Sequence, residues 1–214
     1  TNGLDQSWWA GLYMAAHDHM RFGTEIVFTY GPLGILREPW LFFPGALSLI
    51  PYLYNAVLFT IFCITLVAVL RRRVGWLPAA LISLALLLLL EQTELAVAIA
   101  MFASILIIER RPGERGMLAF AATGGLLAGI EMLGKLSVGP VVVVVLLLGL
   151  VGARAKARDL CAFFAVLVTS MIGLWLLTGQ PLADLPDFVA NSLQIVAGYS
   201  EAMSLYDQSP VINL

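Results

Sequence analysis

From Ala46 onward the chain is a succession of apolar runs divided by short charged clusters: Ala46–Leu70, Val74–Leu90, Leu95–Ile108, Met117–Leu133, Val138–Val151 and Leu160–Leu177. A helix rises about 1.5 Å per residue, so the first run, broken only by Pro51 and Asn55, is long enough to cross a hydrocarbon core of about 30 Å. Composition agrees with that reading. Apolar residues make up 60% of the chain, charged residues 12%, and the mean hydropathy is +0.92, whereas soluble domains carry about a quarter charged residues. The pattern predicts an all-α, polytopic transmembrane helix bundle of about six visible spans.

Charge placement orders the spans. The stretch Val74–Ile108 is too long for one crossing and is interrupted by Glu91-Gln92-Thr93-Glu94, so a hairpin is predicted there. Such a hairpin puts Arg71, Arg72 and Arg73 on the same side as Arg110, Arg111 and Arg115. A second hairpin around Gly134-Lys135-Leu136-Ser137 adds Arg154, Lys156 and Arg158 to that side. Nine of the twelve basic residues are then cytoplasmic and eleven of the fourteen acids lie outside or close to it. The expected location is a bacterial plasma membrane, with the polar face extracytoplasmic.

Residues 1–45 form the first outer loop, 46–178 the bundle and 179–214 a second outer segment, with a surface helix expected around Asp187–Ser204. In the first loop Leu4, Trp8, Leu12, Ala15, Ala16 and Met20 recur at helical spacing, which predicts an amphipathic surface helix with Trp8, Trp9 and Tyr13 at headgroup level. Asn2 or Asp5 is placed to cap its start. A short β-prone run, Glu25–Tyr30, leads into the turn Gly31-Pro32-Leu33-Gly34, where proline fixes one φ and glycine frees others. Neither a leader nor an apolar run precedes this loop, and one further span ahead of Thr1 is expected.

The hairpin arms, of about 14 to 17 residues, are about 21 to 26 Å long and shorter than the hydrocarbon is thick. Glu91, Glu94, Glu131 and Lys135 are thereby expected in a depressed outer region, where a charge requires water or a partner. The helix bearing Asp5 would roof it. Plainer readings stand beside this one. Asp5 suits a helix N-terminus through the macrodipole, the acids at 91 and 94 suit a wet hairpin tip, and Glu131 and Lys135 are spaced to neutralise each other on one helix. His17 and His19 are two apart, off a common helix face, and read as solvated. Cys63 and Cys161 read as free thiols, Ala122–Gly129 (ATGGLLAG) as helix packing, and no basic patch of the kind that binds nucleic acid is present.

An acid opening a helix in the first outer loop, a YGPLG turn after it, an acidic pair at the next outer tip and a long outer segment after the last span together resemble the GT-C glycosyltransferases, which include protein O-mannosyltransferases and aminoarabinose transferases. The resemblance covers nearly the whole chain and implies transfer of a sugar from a polyprenyl-phosphate donor to a glycan, lipid or protein acceptor at the outer face. It implies Asp5 as catalytic base or metal ligand. Glu91 and Glu94 stand where the family's second acidic motif occurs, although the spacing here is E-x-x-E rather than D-x-D or E-x-D. A divalent cation, Mg or Mn, would sit on Asp5 and Glu91. Lys135 would bind the donor phosphate, with Arg37 and Arg21 as further candidates, and Tyr30 with the GPLG turn would wall the pocket. A transporter or flippase would instead carry ionisable groups at mid-membrane, and a non-catalytic scaffold would need no acids at hairpin tips.

Overall fold

The computed structural model describes residues 4–41, 43, 45–89 and 95–205, and the side chains of these except 4–6, 46, 87–89 and 199–205. Among the described residues the regular structure is entirely helical. The helices are α1 (Leu4–His17), α2 (Ala46–Val74), α3 (Trp76–Leu89), α4 (Leu95–Arg110), α5 (Glu114–Gly134), α6 (Gly139–Gly152), α7 (Ala157–Leu177) and α8 (Leu185–Leu205), with 3-10 turns at Gly34–Arg37 and Leu182–Asp184. Three of them, α2, α5 and α7, are long and apolar enough to cross a membrane. The outward faces match that environment, with Leu77, Leu148 and Leu177 exposed to 72%, 65% and 83%. A water-soluble domain does not present apolar side chains so uniformly over its surface.

Each predicted apolar run is a helix, but one boundary differs in a way that matters. Helix α5 starts at Glu114 rather than Met117, because the Glu114 carboxylate is held by Lys156 and Arg158 at the start of α7. Its 21 residues span about 32 Å, long enough to cross the full hydrocarbon thickness, whereas the 14-residue α6 reaches only about 21 Å. Helix α2 absorbs Pro51 near its start. There Asn55 Nδ2 donates to Pro51 O at 2.9 Å and to Leu36 O at 2.6 Å, tying the 3-10 turn to the helix. The chain leaves α2 at Gly75, whose φ of +84° suits glycine and whose N–H donates to Arg71 O.

Helix α5 packs against α7 and α6, α4 against α6 and α2, and α2 against α3. The small-residue run fits its predicted role: a Cβ on Gly125 would stand 2.5 Å from the Phe163 carbonyl of α7. One buried cluster (Ala100, Ala121, Ala128, Val142, Leu146, Phe163) joins α4 to α7, and a second (Leu58, Phe62, Leu66, Leu95, Ile99) joins α2 to α4. At one end of the bundle Arg72 and Arg73 approach Glu109 at 3.7 and 4.0 Å. The ends of α2 and α4 thus meet where α5 and α7 begin, which gathers the basic clusters at a common end as the hairpins require.

The opposite end is closed by the segment from Leu4 to Trp40, with a buried cluster of its own that includes Leu12, Tyr13, Phe22, Tyr30, Leu133, Trp175 and Phe188. Three expectations change here. The run Glu25–Tyr30 forms no strand among the described residues, because its pairings are isolated bridges, Phe22 with Ile26 and Tyr30 with Lys135. Trp8 and Trp9 are half-buried against protein rather than standing as free membrane anchors. Trp8 meets Phe28 edge-on at 4.1 Å, and both indoles meet the Tyr30 ring at 5.5 and 5.3 Å. In the GPLG turn Gly34 N–H donates to Gly31 O at 2.9 Å. Neither glycine has a positive φ. Gly31 is required by close approach instead, since a Cβ there would lie 2.5 Å from Leu133 O.

Candidate functional site at the head of the bundle

The head is laid on the turn between α5 and α6 by backbone pairing. Leu136 N–H donates to Thr29 O at 2.8 Å and Leu33 N–H to Leu133 O at 3.2 Å, which sets Tyr30 opposite Lys135. Lys135 has already left the helix, with φ −149° and ψ 110°. That extended backbone carries its side chain away from Glu131 and brings Nζ to 4.8 Å from the Tyr30 ring centroid. A cation over a tyrosine face gains about 0.5–2 kcal/mol, depending on how dry the site is. No carboxylate pairs with Lys135 among the described residues. Tyr30, 5% exposed and backed by Trp8, Trp9 and Phe28, is the wall against which this cation rests.

Glu131 is engaged elsewhere. It accepts from Arg37 Nη1 at 2.6 Å and from Tyr54 OH at 2.9 Å, and the Arg37 and Glu131 side chains are only 5% and 4% exposed. The Glu131–Lys135 neutralisation that their spacing allows is therefore replaced by a buried ion pair linking the 3-10 turn to α5. Arg37 comes from the end of that turn, which Asn55 anchors through Leu36 O. Tyr13, fully buried in α1, donates its hydroxyl proton to Glu38 O at 2.9 Å and accepts from Trp40 N–H at 2.9 Å, so α1 is fixed to the same turn. Burial raises the Tyr13 phenol above its ordinary range.

Arg21 lies apart from this group, at the junction of α7 and α8. It forms a two-pronged contact with Asp184, Nε to Oδ2 at 2.7 Å and Nη2 to Oδ1 at 2.6 Å. These hydrogen bonds hold the Asp184 carboxyl below its usual value of 3.8. Around them Gln180 accepts from Phe22 N–H and donates to Met20 O, Asn191 donates to Gly23 O, and Ser192 to Phe28 O. Gly23, at φ +95°, sits so near the α8 backbone that a Cβ would be 2.6 Å from Phe188 N.

Of the residues singled out from sequence, Lys135, Tyr30 and Arg37 come together at the head end, and Arg21 stands at its rim. The backbone of Asp5 belongs to the first turn of α1, while its side chain, Glu91 and Glu94 lie outside the described residues. His17 and His19 are exposed, and His17 stacks on Phe43 at 4.1 Å. Among the described residues no three His, Cys, Asp or Glu side chains cluster as metal ligands do. Sequence reasoning missed the roles of Tyr54 and Asn55 and the clamp from Gln180, Asn191 and Ser192. Tyr54 and Asn55 were detectable as polar groups inside an apolar run; the clamp residues, in an ordinary polar segment, carried no signal. Comparison with protein-family models, with curated proteins and with solved structures gives no match.

Proposed function

We propose that the chain is a membrane glycosyltransferase of the GT-C type, in which α2–α7 make six crossings and the head faces the extracytoplasmic side of a bacterial plasma membrane. The observation that carries the reading is Lys135. Arg37 is neutralised by Glu131 and Arg21 by Asp184, so Lys135 is the cation of the head end with no carboxylate partner among the described residues. A lone cation on an aromatic wall, at the depth where a helix bundle ends, suits a lipid-linked phosphate.

The reaction asks little of the protein beyond charge and position. An acceptor oxygen attacks the anomeric carbon, the bond from that carbon to the phosphate oxygen breaks, and its electron pair leaves on the polyprenyl phosphate. Lys135 offsets the charge of that leaving group. Asp5 takes the acceptor proton. Tyr30 and the GPLG turn shape the wall, Arg37, held by Glu131, fixes the height of the turn, and the resemblance assigns Glu91 and Glu94 to substrate binding. A flippase would draw on Glu131 as the buried carboxylate of a membrane helix, and it would move lipid without transferring sugar.

The test is release of polyprenyl phosphate from polyprenyl-phosphate sugars by the reconstituted full-length protein. Lys135→Gln should weaken binding of polyprenyl phosphate about tenfold or more, the cost of one charged hydrogen bond. Asp5→Asn should lower kcat by about 10²–10⁴ at equal expression. Near wild-type turnover in Asp5→Asn removes that residue from the chemistry. Absence of both sugar release and polyprenyl phosphate binding overturns the reading as a whole.

A further inference from the structure

The basic end of the bundle holds a cavity of about 450 Å³, lined by Arg71 and Arg110 at its mouth, Trp76 at its side, and Cys63, Ile64, Val67 and Ala68 below. We infer that it binds an anionic phospholipid, with the headgroup phosphate between Arg71 and Arg110 and an acyl chain along the α2 face beneath them.

Three consecutive arginines, Arg71, Arg72 and Arg73, part company. Arg72 and Arg73 reach Glu109, whereas Arg71 lies over the Trp76 ring at 4.9 Å. Helical spacing puts Arg71 in one stripe with Ile64, Val67 and Ala68. A cation is thus continued directly into an apolar trough that runs about 10 Å toward mid-membrane. No carboxylate pairs with Arg71 or Arg110 among the described residues, although acids do serve their neighbours, Glu109 for Arg72 and Arg73 and Glu114 for Lys156 and Arg158.

Trp76, 66% exposed, is held beside the mouth because Gly75 turns the chain at φ +84°. An indole at that level is at home among headgroups. Soluble anions would satisfy the arginines and leave the trough empty. Zwitterionic lipid would fill the trough and leave net positive charge. A phospholipid with one net negative charge matches both parts, and basic recesses between membrane helices are where such headgroups are drawn.

The experiment uses the purified full-length protein in detergent, titrated with phosphatidylglycerol, phosphatidylcholine or glycerol 1-phosphate and read by native mass spectrometry. Phosphatidylglycerol should be retained in preference to phosphatidylcholine, and glycerol 1-phosphate should not displace it. Arg71→Gln/Arg110→Gln should weaken it by roughly thirtyfold, as expected for two cations beside an anionic headgroup, while Arg72→Gln/Arg73→Gln removes the same charge and leaves it bound. Val67→Trp, which fills the trough and keeps both arginines, should also release it, and this variant decides the matter if the double arginine variant does not fold. Equal retention of the two lipids, displacement by glycerol 1-phosphate, or unchanged binding in Val67→Trp overturns the inference.

Discussion

The two ends of this bundle use charge in opposite ways. At the head, ion pairs join parts of the chain far apart in sequence: Arg37 with Glu131 across 94 residues, both side chains buried, and Arg21 with Asp184 across 163, the carboxylate buried and the arginine half-exposed. At the basic end the pairs that hold Glu109 and Glu114 are open to solvent and cations are in surplus, as with Arg72 and Arg73 sharing Glu109. Burial sets the difference. A desolvated pair that loses one partner leaves an uncompensated charge, whereas a solvated pair exchanges its partner for water at little cost. The buried Arg37–Glu131 pair at the head therefore holds structure, while the exposed pairs at the basic end contribute little to it.

The strongest way to break this contrast is Glu131→Leu. It strands the Arg37 charge and removes the acceptor of Tyr54 OH, so unfolding in detergent should become easier by about 3–5 kcal/mol. Arg37→Leu/Glu131→Leu should recover much of that loss, because no lone charge then remains. A single-variant cost below about 1 kcal/mol would place the pair in an environment as wet as the basic end.

Acid provides the next test. The folded pKa of Asp184 lies below its ordinary 3.8, so the stabilisation from Arg21 is fully present above about pH 4 and is lost as pH falls through the lower, folded value. Hydrogen exchange in Leu185–Leu205 should rise in that range as α8 loosens from the head. Asp184→Asn should show the loosened state at neutral pH and lack the acid step. If the acid step survives in Asp184→Asn, another carboxylate is responsible.

The helices were legible in the sequence because their cause is local: each apolar run satisfies its own backbone and needs no distant partner to declare itself. So were the shared basic end and the helix-packing role of Gly125. What was not legible depended on registry between distant segments. Glu131 and Lys135 satisfy the spacing of a helical pair, and the sequence does not record that the helix ends between them at Gly134, turning Lys135 toward Tyr30. Trp8 and Trp9 have the composition of membrane anchors, and only the fold brings Phe28 and Tyr30 against them. The start of α5 was misplaced because the partners of Glu114, Lys156 and Arg158, are some forty residues away. Asp5, Glu91 and Glu94 remain part of the proposed chemistry through the resemblance, while Lys135 and Tyr30 have gained a geometry.

The smallest expected effect is also the sharpest control on the comparison. Arg72→Gln/Arg73→Gln removes two exposed cations whose contacts to Glu109 are 3.7 and 4.0 Å long, with the arginine side chains 49% and 78% exposed. Pairs of that kind contribute about 0–1 kcal/mol, so the unfolding midpoint in detergent should hardly move, and raising the salt concentration should erase the residual difference. The basic end keeps Arg71, Arg110, Arg111, Arg115, Arg154, Lys156 and Arg158, enough positive charge to preserve the proposed membrane orientation, measurable by protease or thiol accessibility of the head. A loss approaching that of Glu131→Leu would mean that Glu109 depends on its arginines as Glu131 depends on Arg37. The two ends would then differ in the sign of their charge and not in how they use it.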